Sequence, residues 1–218
     1  MSFFVGMLHV KNYRKAYHGR IILEVPELQL QPGIHWIRGV NGAGKSTFFR
    51  SVAGMLPFEG EIWLNDTWEV KRDPVAFRLR VNYAEAEPLY PEYLSAFDLI
   101  SFVAKAKKAP AGQVDALVET LEIASFWKQP VGTYSSGMLK KTSLILGFLG
   151  NPTLIMLDEP LITIDDRAVA NVCQLIDQYH QNGVQFLLSS HQDFRLTDLK
   201  MDSSYIIRNQ TLEEIHLS

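Results

Sequence analysis

The chain has 218 residues, of which 47% are hydrophobic and 21% are charged, and its formal net charge is −3 at pH 7. This composition is typical of one large globular domain, or of one domain with a lobe, and the weakly acidic balance argues against bulk attraction to nucleic acid or to an anionic membrane. The single cysteine, Cys173, excludes an intramolecular disulfide framework, and the longest apolar stretch, residues 144–149, is far shorter than the roughly 20 residues that span a bilayer, so we expect a soluble protein of a reducing compartment.

The first third of the chain carries short apolar stretches of the kind that form strands. Strands are predicted at residues 7–10 and 21–25, on either side of a turn at 18–19, and again at 34–38 and 60–64. Because the turns between these stretches are short, we expect β-hairpins here, together with a strand–loop–helix unit that starts with the 34–38 strand.

The loop after the 34–38 strand reads G-V-N-G-A-G-K-S-T, which matches the phosphate-binding loop pattern. Its glycines let backbone N–H groups turn towards phosphate oxygens, where a Cβ would clash. Lys45 adds a positive charge for the β- and γ-phosphates, Ser46 offers a hydroxyl to Mg²⁺, and the helix predicted at 48–55 points its positive end at the same phosphates. The residues predicted to bind the nucleotide here are Gly39, Asn41, Gly42, Ala43, Gly44, Lys45, Ser46 and Thr47.

The middle of the chain changes to helical periodicity. After a strand predicted at 78–83 and a proline-bearing loop at 87–91, apolar residues recur at helical spacing from 95 to about 126, with a break at 110–112. A third helix is predicted at 136–149. These helices are interpreted as an insertion between two parts of an α/β core.

The start of the third helix reads Y-S-S-G-M from Tyr134 to Met138. Ser135 suits the N-cap position, and Gly137 leaves the first turn sterically open. As a cap, the serine needs no ligand. As an anion site it needs a phosphate from elsewhere, because the chain's own phosphates are already held by the phosphate loop, and this makes a second copy of the chain an attractive partner.

Two apolar strands in the last third end in polar side chains. Residues 154–160 read L-I-M-L-D-E-P, which places Asp158 to hold Mg²⁺ and Glu159 to orient or deprotonate the water that attacks a γ-phosphate. A second strand at 186–189 leads to His191, which is interpreted as a donor to the γ-phosphate. Strands that alternate with helices predict a parallel sheet whose ligands lie at the carboxyl ends of the strands.

In this order the motifs resemble those of the ATP-binding cassette (ABC) ATPases, over almost the whole chain. The matching motifs are the Walker A loop at 39–47, the signature at 134–138, the Walker B strand at 154–159, the D-loop I-T-I-D at 162–165 and the switch histidine His191. The resemblance implies an α/β P-loop NTPase core with a mostly parallel sheet, an antiparallel β subdomain and a helical subdomain. The whole chain would be one nucleotide-binding domain, with the core and β subdomain at 1–85 and 150–218 and the helical subdomain at 86–149.

The same resemblance implies that ATP and Mg²⁺ bind between two such domains paired head to tail, in a homodimer or a heterodimer. Each ATP would lie between Walker A of one subunit and the signature of the other, where Ser135, Ser136 and Gly137 would meet the γ-phosphate. Asp165 would couple the two sites. Tyr17 resembles the aromatic residue that stacks on adenine, and the alternative is a residue that packs at a strand end.

Two departures from the family pattern matter. The signature has Ser136 and Met138 where Gly and Gln are usual, and such versions resemble those of exporter-type ATPases. The family's Q-loop glutamine, which contacts Mg²⁺ and senses the transmembrane partner, is missing from the stretch Y-A-E-A-E-P at 83–88. Three interpretations stay open: Glu85 substitutes for the glutamine, Glu87 substitutes for it, or Ala86 occupies its position and leaves a gap. Slow hydrolysis or altered coupling would follow from the missing glutamine.

The loop L-Y-P-E-Y-L at 89–94 resembles the L-Y-P-E-L-T run of ABC exporter ATPases, which lines the groove for a transmembrane coupling helix; a hydrophobic staple at a helix start is the alternative. The resemblance implies an ATP-hydrolysing transporter subunit that powers substrate movement, with export favoured, through separate transmembrane permease subunits. It would be cytoplasmic, peripheral on the inner face of the membrane, with no direct nucleic-acid contact. The alternatives are a non-transport ABC protein and a regulatory ATP-binding module with weak hydrolysis.

Overall fold

One sheet of ten strands organises the part of the chain that this computed structural model describes, residues 7–191 and 199–215. The strands are β1 Leu8–Tyr17, β2 Arg20–Leu30, β3 Ile34–Arg38, β4 Glu59–Leu64, β5 Trp68–Glu69, β6 Val81–Ala84, β7 Leu154–Asp158, β8 Gln185–Ser190, β9 Ser203–Arg208 and β10 Thr211–Ile215. The α-helices are α1 Lys45–Val52, α2 Pro74–Arg80, α3 Ala96–Ala106, α4 Gln113–Thr120, α5 Ser136–Phe148 and α6 Asp166–Gln181. None of the helices in these two ranges is long and apolar enough to cross a membrane.

The strands that lead into the motif loops form the parallel part of the sheet. In the order β9-β3-β8-β7-β6, every neighbouring pair is parallel. β7 is buried along its whole length, as expected for a strand that is covered on both faces. Because these strands are parallel, the carboxyl ends of β3, β7 and β8 lie at one edge, where the chain turns into the phosphate loop, Glu159 and His191.

The remaining strands extend the sheet in largely antiparallel pairing. β1 pairs antiparallel with β2 and β4, and β4 pairs antiparallel with β5. The predicted turn between β1 and β2 is confirmed, since His18 and Gly19 adopt left-handed φ angles of 51° and 78°, as in a two-residue hairpin of type I′. The predicted fold class, an α/β P-loop core with an antiparallel β part and a helical part, is thereby confirmed.

The two faces of the sheet bury separate hydrophobic clusters, and β7 contributes to both. Leu154 and Met156 belong to the cluster that contains Phe48 and Phe49 of α1. Ile155 belongs to the cluster that α3, α4, α5 and α6 cover. Because the side chains of a strand point alternately to opposite faces, this one strand anchors the phosphate-loop helix on one side and the inserted helices on the other.

The strand predicted at 78–83 is wrong over its first half, because residues 78–80 belong to α2 and β6 begins at Val81. The run R-L-R-V imitates the alternation of a half-buried strand, but Pro74 starts a helix whose buried residue is Phe77. The elements α2, β5, β9 and β10 are absent from the sequence prediction because they are short or rich in polar residues. The proposed boundaries of the helical subdomain at 86–149 stay predictions.

Candidate functional site

A cavity of about 600 Å³ opens at the carboxyl ends of β3, β7 and β8. It gathers residues that are far apart in the sequence. The predicted site residues that line it are Tyr17, Asn41, Gly42, Ala43, Gly44, Lys45, Ser46, Thr47, Asp158, Glu159 and His191. Gly39 contributes through its carbonyl oxygen, which accepts a hydrogen bond from Lys45. Ser135, Ser136 and Gly137 are not among the residues that line this cavity.

The phosphate loop leaves the N-terminus of α1 open. Gly42 and Gly44 adopt left-handed φ angles of 79° and 111°, which glycine adopts without the strain that a Cβ would bring. Gly44 is the N-cap of α1, and no side chain caps the helix there. The first N–H groups of α1 therefore remain available to an anion at the positive end of the helix.

Lys45 is held in the wall of the cavity by the phosphate loop and by Glu159. The residue is 6% exposed, its Nζ donates to the Gly39 carbonyl over 2.6 Å, and the same Nζ lies 3.4 Å from Glu159 Oε1. A carbonyl and a carboxylate thus satisfy the ammonium in this structure. A phosphate group that entered the cavity would compete with Glu159 for this positive charge.

Glu159 occupies a strained and buried position directly after β7. Its φ is 47°, in the left-handed region, and its backbone N–H donates to the Ser189 carbonyl over 3.2 Å. Its Oε1 lies 3.0 Å from Nδ1 of His191, an ion-pair distance when the ring is protonated. Within the described ranges, however, neither carboxylate oxygen accepts a hydrogen bond of good geometry. The carboxylate thus lies beside the Lys45 ammonium and the His191 ring without accepting a well-aligned hydrogen bond, which suits a group that orients water or takes a proton.

Asp158 is fixed by two neutral hydroxyls. Tyr83 donates to Oδ2 over 3.0 Å, and Ser189 donates to Oδ1. Burial, aided by the charge of Asp158, raises the pKa of the Tyr83 phenol, so Tyr83 remains a donor. Sequence reasoning missed both partners. Ser189 lies near the end of the apolar strand β8 and close in sequence to His191, which is a usable signal. Tyr83 lies 75 positions from Asp158, and only the neighbouring positions of β6 and β7 bring it close.

The residues at this end of the cavity fit Mg²⁺. Ser46 and Asp158 line the same cavity, and the hydroxyls that bind Asp158 do not neutralise its charge. Across residues 7–191 and 199–215 there is no group of three or more His, Cys, Asp or Glu side chains that could enclose a metal. The two oxygen donors Ser46 and Asp158 are enough for Mg²⁺, which takes one or two protein ligands and completes its shell with phosphates and water.

The signature segment lies at the exposed N-terminus of α5. Ser135 is the N-cap, and its Oγ accepts a hydrogen bond from the Met138 N–H over 3.2 Å. Ser135 and Ser136 are both exposed. The N-cap prediction for Ser135 is confirmed, while the structure does not bring this serine to the phosphate loop of its own chain.

The signature and the D-loop are joined within one chain. A Cβ at Gly137 would lie 2.7 Å from the Thr163 carbonyl oxygen, so only glycine allows this close packing. Asp165 caps α6 by accepting from the Ala168 N–H over 2.8 Å, and it lies 3.1 Å from Nζ of Lys141 on α5. Gly137 and Lys141 are one helical turn apart, so the same face of α5 holds the D-loop.

The segment after β6 lies between two cavities. Ala86 and Glu87 line the nucleotide cavity, while Glu85 turns away and pairs with Arg50 of α1 over 3.2 Å. Of the three interpretations for the missing glutamine, the structure therefore places Ala86 and Glu87 at the cavity and Glu85 outside it. Tyr17 is 43% exposed at the rim of this cavity, so packing at the strand end does not bury its ring.

A second cavity, of about 620 Å³, opens between α2, β6, α3 and α5. Its walls are largely apolar and include Val75, Leu79, Tyr90, Val103 and Leu146. Leu89, also on its wall, is 93% exposed, and Tyr93 is 81% exposed, so neither side chain is buried against its own fold. The helix start at Ser95 is closed by a capping box with Asp98, and the staple alternative stays open. We call this apolar cavity the groove.

Comparisons with known proteins agree with this geometry. Residues 23–162 match the family model described as ABC transporter. The chain is 28% identical over 193 residues to the lantibiotic transport ATP-binding protein SrtF of Streptococcus pyogenes, covering 85% of this chain and 80% of that protein. It is 30% identical over 188 residues to the aliphatic sulfonates import ATP-binding protein SsuB 2 of Burkholderia cenocepacia (strain HI2424), covering 85% and 68%. A solved structure described as the ATP-binding subunit of an ABC transporter shares the fold, with a TM-score of 0.85, 23% identity, and coverage of 97% and 90%.

Proposed function

Because the chain belongs to the ABC transporter family of ATP-binding proteins, we propose that it is the motor subunit of a membrane transporter and drives separate transmembrane subunits. Members of this family bind and hydrolyse ATP, and this chain is an ATPase of that family. The observation that carries the assignment of roles is the single cavity in which the phosphate loop, Asp158, Glu159 and His191 meet.

The proposed roles follow from the position of each group in that cavity. The open N–H groups of α1 and the Lys45 ammonium bind the β- and γ-phosphates, which hold most of the substrate's charge. Glu159 orients the attacking water and accepts its proton, and His191 donates to the γ-phosphate. Mg²⁺, held by Ser46 and Asp158, would supply charge neutralisation between the two phosphates when bound.

Binding of ATP requires Lys45 to change partners. In the structure, its ammonium lies 3.4 Å from Glu159 and neutralises the catalytic carboxylate. When ATP binds, the γ-phosphate replaces Glu159 as the partner of Lys45. Release of Lys45 leaves Glu159 beside His191 and free to accept from water. Positioning and charge stabilisation of this kind supply most of the rate in phosphoryl transfer.

We propose that a second copy of the chain completes the site. Ser135 and Ser136 are exposed, and Gly137 lies beside them outside the chain's own cavity. A head-to-tail homodimer would bring this N-terminus of α5 to the γ-phosphate of the other subunit, with Asp165 next to the interface. A heterodimer with a related subunit would use the same surfaces.

We propose further that the groove receives a segment of the transmembrane subunits. Its apolar walls and the exposed Leu89 and Tyr93 are the features expected of a surface that is covered in a complex. The chain would then lie in the cytoplasm on the inner face of the membrane. Export is favoured by the exporter-like sequence at 89–94, although one relative, SsuB 2, is named as an import protein.

The test is steady-state ATPase activity of the purified chain with Mg²⁺ over a range of protein concentrations. Specific activity that rises with concentration and then levels off is expected, because each site needs two subunits. Specific activity independent of concentration would contradict the shared site. ATP binding without turnover at any concentration would favour the regulatory module. Ala86 supports that alternative, because it lines the nucleotide cavity where the family has a glutamine.

A further inference from the structure

Lys140 of α5 is a charged residue at the centre of the protein that the roles above leave unused. It is 1% exposed. Its Nζ donates to three backbone carbonyls, those of Glu85 over 3.1 Å, Ala86 over 3.0 Å and Asp158 over 2.9 Å. A lysine ammonium has three N–H donors, so the three carbonyls use all of them.

A fully buried ammonium is costly, and this one is satisfied by neutral groups. Burial lowers the pKa of Lys140 to about 8, although the charges of Asp158, Glu159 and Glu87 oppose that shift. A helix surface offers many places where a lysine costs nothing. The three hydrogen bonds to backbone carbonyls are therefore what this position gains from a buried charge.

The three carbonyls belong to two segments that line the nucleotide cavity. Ala86 and Glu87 form one wall, and Asp158 with Glu159 forms another. No strand pairing joins residue 86 to residue 158, because the register of β6 with β7 ends at Ala84↔Leu157. Beyond that pair, the hydrogen bonds of the Lys140 ammonium connect residue 86 with residue 158. They also connect both walls to α5, the helix that carries the signature.

We propose that Lys140 is a positioning residue for ATP hydrolysis, whose ammonium fixes the 85–87 segment against Asp158 and Glu159 and couples both to the signature helix. It acts through backbone carbonyls and does not touch the nucleotide cavity itself. The proposal rests on the proposed ATPase role of Glu159. It predicts that removal of the ammonium disturbs the geometry around Glu159 more than it disturbs the phosphate loop.

Lys107 provides a matched control within the same chain. Its Nζ also donates to backbone carbonyls, those of Val81 over 3.0 Å and Arg78, and burial likewise lowers its pKa to about 8. These carbonyls lie at the end of α2 and the start of β6, away from the nucleotide cavity. The substitutions Lys140→Met and Lys107→Met thus each remove an ammonium that donates to backbone carbonyls, one fully buried beside the nucleotide cavity and one half-buried away from it.

The first measurement is hydrogen exchange of the nucleotide-free chain. Lys140→Met is expected to raise exchange by about tenfold in peptides that cover 84–90 and 157–161, because local opening becomes easier when the carbonyls lose their donor. Lys107→Met is expected to raise exchange at 78–83 and to leave the other two peptides unchanged. Equal exchange of 84–90 in wild type and Lys140→Met would overturn the proposal.

The second measurement is the ATPase kinetics of the same variants, with Tm recorded for each. For Lys140→Met we expect kcat to fall by about tenfold while KM for ATP changes by less than about threefold, and we expect Lys140→Arg to recover part of kcat. Lys107→Met should keep the wild-type kcat, whatever Tm it loses. A similar loss of kcat in both Met variants would reduce Lys140 to a stabilising residue. If the wild type hydrolyses no ATP, the proposed function fails, and the exchange comparison still decides whether Lys140 fixes the 85–87 segment against Asp158 and Glu159.

Discussion

The phosphate-loop end and the signature end of this chain differ in how much of their chemistry is complete. At the phosphate loop, Lys45, Asp158 and Glu159 are 6%, 1% and 7% exposed and are held by contacts within the same chain. At the signature end, Ser135 and Ser136 are exposed at an uncovered helix N-terminus. One chain thus contains a candidate phosphate site together with its candidate base. On another surface it exposes the signature serines, which suit a phosphate held by a different chain.

The two ends are nevertheless mechanically connected through α5. Lys140 contacts the walls of the nucleotide cavity, and Lys141, the next residue, pairs with Asp165 of the D-loop. Adjacent residues of a helix point in directions about 100° apart, so one helix can hold both segments at once. A displacement of the signature by a partner subunit would therefore be felt at Glu159 of the same chain.

The largest expected effect tests the completeness of the phosphate-loop end. Glu159→Gln keeps the volume of the side chain but removes its charge and its basicity. We expect kcat to fall by about 10²–10³-fold, while the affinity for ATP stays the same or increases because Lys45 no longer has a carboxylate partner. Steady-state ATPase and equilibrium binding of a fluorescent ATP analogue measure the two effects.

Glu119→Gln is the matched control for this prediction, because it makes the same chemical change on the exposed side of α4. It should keep the wild-type rate. Turnover by Glu159→Gln at the level of this control would mean that another group activates the water, and the assignment of Glu159 would be wrong.

The phosphate-loop end of one chain and the signature end of another are expected to work together in one site. Lys45→Ala removes the phosphate ammonium, and Gly137→Ala forces the signature away from Thr163. Each variant alone is expected to be nearly inactive. An equimolar mixture should recover about a quarter of the wild-type rate, because half of the randomly formed dimers are mixed and each mixed dimer keeps one intact composite site of two.

A mixture that remains as inactive as its components would contradict a composite site, provided that size-exclusion chromatography with ATP shows that mixed dimers form. Tm of Gly137→Ala measured without nucleotide separates the clash within the chain from the loss at the interface. The clash lowers Tm of the monomer, whereas the interface effect appears only in the ATPase of the dimer.

More of the phosphate-loop end than of the signature end could be predicted from the sequence, for physical reasons. The glycine spacing of 39–47 and the carboxylates after an apolar strand are local patterns, and the cavity contains nearly all of the residues that they predict. Contacts such as Tyr83 with Asp158 depend on the order of strands in the sheet, which the local pattern does not encode. Lys140 was equally out of reach, because a lysine in a helical pattern is usually at the surface.

The smallest expected effect compares two serines that each cap a helix, the exposed Ser135 and the buried Ser95, whose Oγ also donates to Asp98 Oδ2 over 2.6 Å. Ser135 accepts from the Met138 N–H over 3.2 Å, and Ser95 accepts from the Asp98 N–H over 3.1 Å. Removal of either Oγ should lower the free energy of unfolding by about 1 kcal/mol, because one N-terminal N–H of a helix loses its acceptor. If the exposed serine only caps its helix, Ser135→Ala and Ser95→Ala will show the same ATPase rate in urea-free buffer, and Ser95→Ala will shift the urea midpoint at least as far as Ser135→Ala. If it also meets the phosphate of a partner, Ser135→Ala alone will lose about tenfold in kcat without a larger loss of stability than Ser95→Ala, because hydrogen bonds to a phosphate are charge-assisted and strong. Equal ATPase rates in these two variants would return the signature serine to a purely structural role and would leave Gly137 to account for the interface.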